Sequence, residues 1–402
     1  MKLKRGRIDV DFARIGAIIA IFHNEKVSDV LWVFHADLLI SCEEEAMTAL
    51  NINESKLNEL LGKFVSDLGA AISAGPIVIG EKLGLYKAMA TPNERITASQ
   101  LAARTGANER YLLEWLNANA ASGYICYDAE AESYYMTDEQ SFIMASDESP
   151  VHVPGAFLLA VAALRSVPTV AERFKTGEGL GWHEHDSDLF CGTELFFRPG
   201  YNAHLIKEWI PALDGVEAKL RSGAKVADVG CGFGASTIIM AEAYPASEFT
   251  GFDYHSGSID KARERANAAG VDDRVKFEVA ASKDFPGTEY DFVTFFDCLH
   301  DMGDPVGAAA HVKRSLKEDG TWMIVEPFAT DSRQQNHNPV GRVFYSASTI
   351  ICTPASRAQE VGLGLGAQAG EARLREVVLQ GGFSELRRAT ETPFNLILEA
   401  RP

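Results

Sequence analysis

Val226-Ala-Asp-Val-Gly-Cys-Gly-Phe-Gly234 is the stretch on which the reading of this chain turns. A short apolar run ends at Asp228 and Val229, three alternating glycines turn the chain, and a helical pattern opens at Ala235. With no side chains at Gly230 and Gly232, backbone can approach a ligand at the N-terminus of that helix, where unpaired N–H groups collect. Asp253 ends the next apolar run, 19 residues past Gly234, where a carboxylate can accept from two ribose hydroxyls. A glycine loop alone is a weak signal. Strand, loop, helix, strand and acid in this order make a strong one.

Outward from this motif, the second half of the chain alternates strand and helix. Strands are expected at 225–229, 248–252, 275–279, 292–296 and 322–325, and a last one at 395–399 after a helix over 371–380. The runs are continuously apolar, as strands covered on both faces must be. Such alternation builds an α/β fold with a doubly wound, mainly parallel sheet.

Two ligands suit the glycine loop. Gly230, Gly232 and Ala235 meet the dinucleotide pattern G-x-G-x-x-G/A, whereas Asp228, Gly230, Gly232 and Gly234 meet D-x-G-x-G-x-G. The acid at 228 separates the readings, because it lies beside the place where NAD would set an anionic pyrophosphate. It favours instead the ammonium end of a methionine-containing ligand. Here the chain resembles the class I S-adenosylmethionine (SAM)-dependent methyltransferases, which implies a seven-stranded sheet. Phe295-Phe-Asp-Cys-Leu-His-Asp-Met-Gly-Asp304 and Met323-Ile-Val-Glu-Pro327 extend the likeness to the plant-type small-molecule O-methyltransferases. A bacterial family of winged-helix methyltransferases of unassigned substrate is closer still. The resemblance covers about residues 57–402.

What the resemblance implies is specific. Gly230 and Gly232 would line the methionine part of SAM, with Asp228 nearby and Asp253 on the ribose, and Gly234 belongs to the same cofactor set. Asp297 joins this cofactor set. His300 and Asp301 match the segment that supplies a histidine base after the fourth strand, and Glu326 matches an acid after the fifth that would orient it. Many relatives hold the adenine amino group with an Asp after the third strand. Ala280-Ala281-Ser282 stands there instead, so Ser282, Asp284 or backbone would hold the adenine. No metal is called for. A phenol has a pKa near ~10 and His one of ~6.5, so an imidazole base speeds attack near neutral pH. A His-Asp pair after a strand also serves simply to cap the next helix.

The first half reads as helix, turn, helix and hairpin. Thr97 or Ser99 caps a short helix, Gly106 turns the chain, Asn108 caps a second helix, and strands at 124–127 and 134–137 flank an acidic tip. Upstream, a helical pattern from Asn53 to about Ala90 is interrupted by Ser73-Ala-Gly-Pro76. The whole is a winged helix. Residues 91–149 carry three arginines against ten carboxylates, a net charge of −7, which opposes binding to duplex DNA. A dimerisation module is the better expectation, with a non-catalytic SAM-sensing regulator as an alternative beside the NAD-dependent oxidoreductase.

Length and composition agree. The 402 residues exceed one core, so more than one domain is expected. We expect an N-terminal extension over 1–50, a winged-helix domain over 51–150, a helical cap over 151–220 and a catalytic domain over 221–402. Met47 is a candidate true start. The net charge of −18 disfavours nucleic acid and anionic membrane as partners. Six unpatterned cysteines suit a reducing cytoplasm. The apolar runs 15–22 and 30–40 are too short for a bilayer span. Trp182-His-Glu-His-Asp-Ser-Asp188 reads as a solvated polar loop rather than a metal site. Tyr201, with Arg198 and His204, lies on one helical face ahead of the first catalytic strand. The segment 328–355 is expected to roof a pocket for a small-molecule acceptor.

Overall fold

The computed structural model describes residues 52–146 and 149–402. The extension over 1–50, with Met47 and both apolar runs, lies outside the described residues. The described chain falls into two units divided between Gly69 and Ala70. That division lies inside the first helix, α1 (Glu54–Lys82).

Contrary to the interruption expected at residues 73–76, α1 runs unbroken through Pro76. A proline inside a helix removes one backbone donor. Packing outweighs this loss: Ile77 is buried, and a Cβ on Gly80 would lie 2.5 Å from the Tyr86 ring. The Pro76 carbonyl also accepts from Trp115 Nε1 at 2.8 Å. Of the described helices, α1 alone is long and apolar enough to cross a membrane by length and composition.

After α2 (Leu85–Ala88) come α3 (Ala98–Thr105) and α4 (Glu109–Ala121), then the antiparallel hairpin β1 (Cys126–Asp128) and β2 (Ser133–Tyr135). Thr97 and Gln100 form a reciprocal capping box on α3, Gly106 closes it at φ 73°, and Asn108 caps α4. The chain continues through α5 (Asp138–Met144), α6 (Pro154–Arg165), α7 (Val167–Thr176), α8 (Asp188–His204) and α9 (Val216–Ser222).

The sheet strands follow: β3 (Lys225–Val229), β4 (Glu248–Asp253), β5 (Val275–Val279), β6 (Tyr290–Phe296), β7 (Leu316–Pro327), β8 (Glu385–Glu391) and β9 (Asn395–Arg401). Between them lie α10 (Ala235–Ala243), α11 (Ser256–Ala269), α12 (Pro305–Ser315), α13 (Pro339–Ala347), α14 (Thr353–Arg357) and α15 (Gly370–Gln380). The order is β5-β4-β3-β6-β7-β9-β8; the first five are parallel and β9 pairs antiparallel with both neighbours. Alternate residues feed two cores. Val226 and Phe292 pack on one face, while Ala227 and Val293 pack on the other. The order reverses between β3 and β6, and ligands bind outside the carboxyl ends of strands at such a switch point.

Candidate active site

The loop after β3 has the backbone that its glycines permit. Gly230 and Gly234 take φ of 76° and 77°, and a Cβ on Gly230 would lie 2.8 Å from Cys298 Sγ. The Asp253 carboxylate clamps this loop to the end of β4, accepting from Gly232 N at 3.0 Å and from His255 N at 2.9 Å, on different oxygens. Each oxygen keeps a further lone pair. Burial raises the Asp253 pKa, and the two backbone donors oppose that rise.

Asp228 is not where the sequence put it. Its carboxylate is buried beneath the loop and is absent from the cavity wall. It accepts from Thr237 Oγ1 at 2.6 Å, Ser236 Oγ at 2.7 Å and Thr294 Oγ1 at 3.0 Å. Three hydroxyls thus take up the charge, and Asp228 ties the start of α10 to β6 rather than facing a ligand. Gly234 also lies off the wall, packed against Phe277.

A cavity of about 420 Å³ opens over the loop, lined by Gly230, Gly232, Asp253, Ser282 and Asp297 among others. Ala280 and Ala281 lie on the same wall as Ser282. Of the three residues expected on one face of α8, Tyr201 reaches the cavity, whereas Arg198 pairs with Glu194 and His204 with Glu208. The Tyr201 hydroxyl donates to Asp297 Oδ2 at 3.1 Å, and Asn395 Nδ2 donates to Oδ1 at 2.9 Å. Asp297 holds a φ of 50°, a strained value for a residue with a side chain. Burial, and then the charge of Glu326, push its pKa well above the carboxylate range.

His300 and Glu326 meet across the ends of β6 and β7. Nδ1 of the imidazole lies 2.6 Å from Glu326 Oε2, while Leu299 N donates to Oε1 at 3.0 Å. Both side chains are almost fully buried. Nε2 lies 3.1 Å from Asp301 Oδ1, which has no aligned hydrogen-bond partner. Burial pulls the His300 pKa down, but the Glu326 and Asp301 charges outweigh it and hold the imidazole well above its ordinary value. The capping alternative is met by a different residue: Asp304 caps α12 through Gly307 N at 2.8 Å. Cys352 joins His300 and Asp301 with one donor atom each, all within 4.8 Å, a grouping that could hold a metal ion.

His300, Asp301 and Cys352 line a second cavity, of about 1020 Å³. It adjoins the first, since Trp182, Thr193, Phe197, Asp297 and Asp301 face both. Residues 336–339, 342–347 and 350–352, inside the expected roof, form one wall.

The loop at 182–188 is not simply solvated, as expected. Trp182 Nε1 donates to Asp301 Oδ2 at 2.9 Å, and buried His185 contacts Ser166 Oγ at 2.7 Å. The apolar body of Trp182, packed on Phe190, draws the segment inward. Sequence reading missed Trp182, Cys352 and Asn395. Only Trp182 carried a signal, a large aromatic in a polar stretch.

Comparison with known proteins agrees with this architecture. Residues 220–353 match the family model described as a methyltransferase domain, and residues 70–146 match the Rv2258c-like winged HTH domain. The chain is 30% identical over 178 residues to 27-O-demethylrifamycin SV methyltransferase of Amycolatopsis mediterranei, covering 41% of this chain and 57% of that protein. It is 31% identical over 122 residues to phosphoethanolamine N-methyltransferase 3 of Arabidopsis thaliana, covering 30% and 23%. The chain thus spans from about a quarter to just over half the length of these curated relatives. Its fold is similar to that of mitomycin 7-O-methyltransferase MmcR, with 18% identity, a TM-score of 0.62, and 87% and 100% of the two chains covered. Human N-acetylserotonin methyltransferase, solved with SAM, aligns at 15% identity and a TM-score of 0.62, covering 86% and 97%. The methyltransferase-domain match favours SAM over a dinucleotide at the glycine loop. The chain thus carries a methyltransferase domain over residues 220–353, on a sheet with the class I methyltransferase fold, behind a Rv2258c-like winged HTH domain over residues 70–146, and SAM is the cofactor that such a domain uses.

Proposed function

We propose that this protein methylates a hydroxyl of a small organic acceptor, with His300 as general base and Glu326 as the residue that orients it. The observation that carries the reading is the 2.6 Å contact between His300 Nδ1 and Glu326 Oε2 on the wall of the larger cavity. SAM supplies a methyl group already activated by its sulfonium, so the protein's work is positioning and proton removal. A proton on Nδ1, donated to Glu326, leaves Nε2 to accept the proton of the acceptor hydroxyl. The neighbouring carboxylates make the imidazole a stronger base than usual, closer to a phenol with its pKa of ~10. Asp301 flanks Nε2 and is held by Trp182, which makes it a positioning residue.

For the cofactor, the bare backbone at Gly230 and Gly232 and the free lone pairs of Asp253 suit the methionine and ribose portions. Ser282 suits the adenine end, and Asp297, where the cavities adjoin, suits the reacting end. Asp228 and Gly234 act indirectly, by holding the loop. Labelled methyl from SAM recovered as an ether of the acceptor supports the reading; recovery on nitrogen or carbon contradicts it.

We assign residues 51–150 to a dimerisation domain, 151–220 to a helical cap and 221–402 to catalysis, in a cytoplasmic homodimer. α1 exposes Leu60, Phe64, Val65, Leu68, Ile72 and Ile79, an apolar set that favours self-association. All three arginines of the winged helix are ion-paired: Arg95 with Asp128, Arg104 with Glu94 and Arg110 with Glu114. That pairing, with the net charge of −7, speaks against duplex DNA as a partner. A monomeric mass by light scattering at working concentration would remove the dimer.

A further inference from the structure

We propose that the acceptor is a bulky, largely apolar hydroxylated molecule of several fused or linked rings. The proposal rests on the methyl-transfer reading of the same cavity and names the class of molecule that fills it. At about 1020 Å³ the acceptor cavity is more than twice the size of the cofactor cavity, at about 420 Å³. It lies at the top of the ~300–1,000 Å³ range of pockets that enclose drug-sized ligands. A single phenol ring would leave most of it filled with water against apolar walls.

The walls say what kind of molecule displaces that water. α6 presents Ala156, Ala160 and Ala163 at i, i+4 and i+7, with Leu159 and Leu164 beside them, so this face of the cavity is wholly apolar. Phe196 and Phe197 of α8, with Phe344 of α13, supply flat aromatic surface. Charged side chains on the wall are Asp297 and Asp301, beside His300, and Arg342. The reactive hydroxyl therefore has polar company at His300, while most of the remaining wall is apolar, with a polar strip at Asn336, His337 and Asn338. Phosphate recognition calls for clustered cations and charge-assisted hydrogen bonds. The cavity wall carries two carboxylates against one arginine and two histidines, so a small phosphorylated acceptor is a poor match.

The test titrates 2,6-dihydroxyanthraquinone, catechol and phosphoethanolamine into the full-length protein loaded with S-adenosylhomocysteine. The anthraquinone should bind at least ten-fold more tightly than either small probe. Ala160 lines the cavity yet is exposed, so Ala160→Trp projects an indole into open space without rebuilding the core. That variant should weaken anthraquinone binding at least five-fold while S-adenosylhomocysteine binds as before. Ala160→Leu, a smaller change on the same helix face, should give a smaller loss in the same direction and stands in if the tryptophan variant fails to fold. Equal or tighter binding of a small probe, no binding of the anthraquinone, or indifference to both substitutions overturns the proposal. Supplying labelled SAM separates the two claims. Tight anthraquinone binding without any methyl transfer sinks the transfer reading and keeps the size class, whereas efficient transfer to catechol with weak anthraquinone binding does the reverse.

Discussion

His300 Nδ1 lies 2.6 Å from Glu326 Oε2, a contact between two nearly water-free side chains that are 26 residues apart in sequence. Sheet register brings them together. Parallel pairing sets Phe296 opposite Val325, so Glu326 near the end of β7 and the turn just past the end of β6 share one edge of the sheet. Glu326 also accepts from Leu299 N, which fixes the turn that carries His300. The pair is therefore held from both sides before any acceptor arrives.

Glu326→Gln tests what the carboxylate does. The charge of Glu326 is among those that outweigh burial and raise the His300 pKa. A base must be deprotonated to act, so kcat/KM of the wild type should fall as pH drops through that raised value. In the variant the raising charge is lost, the His300 pKa falls, and the acid limb of the profile should move to lower pH with a reduced plateau. A pH–rate profile whose acid limb stays in place would show that Glu326 does not act on the base.

Asp253→Ala tests the ribose clamp. The carboxylate holds Gly232 N and His255 N and faces the cavity over the glycine loop, where the ribose is proposed to sit. Hydrogen bonds to a charged group contribute about 1.5–3 kcal/mol each, or roughly ten- to a hundred-fold in affinity. Calorimetry should show S-adenosylhomocysteine binding weakened by at least that lower factor. Unchanged affinity would move the ribose elsewhere.

Gly230→Ala tests the loop itself. The position holds φ 76°, and the added Cβ would press to 2.8 Å from Cys298 Sγ. Strain of this kind costs about 1–3 kcal/mol, so the melting temperature should drop and cofactor affinity should fall with it. A variant as stable and as tightly binding as the wild type would mean that the loop relaxes freely.

Much of this fold was legible in the sequence, and the gaps have physical causes. The parallel strands read clearly because burial on both faces demands continuous apolar runs, as in Tyr290–Phe296. β8 was missed because Glu385–Glu391 is a charged edge strand with no clean alternation. Pro76 misled because side-chain packing at Ile77 and Gly80 outweighed its local preference. In the site, Gly230, Gly232 and Asp253 follow a strand, loop and helix spacing that a linear reading can see, whereas His300 and Glu326 come from the likeness to O-methyltransferases. Asp228 does not: its spacing matched a ligand contact, but Ser236, Thr237 and Thr294 claim its carboxylate from other elements. Trp182 and Cys352 reach His300 and Asp301 through tertiary packing from distant parts of the chain. No local pattern encodes that.

The most direct test of the central claim is turnover of His300→Ala with labelled SAM and a hydroxylated multi-ring acceptor, measured beside its binding of S-adenosylhomocysteine. The account predicts a loss of roughly 10²–10⁴ in kcat, with cofactor affinity within two-fold of the wild type. Near-normal turnover in the variant would contradict it and leave His300 as a structural partner of Glu326.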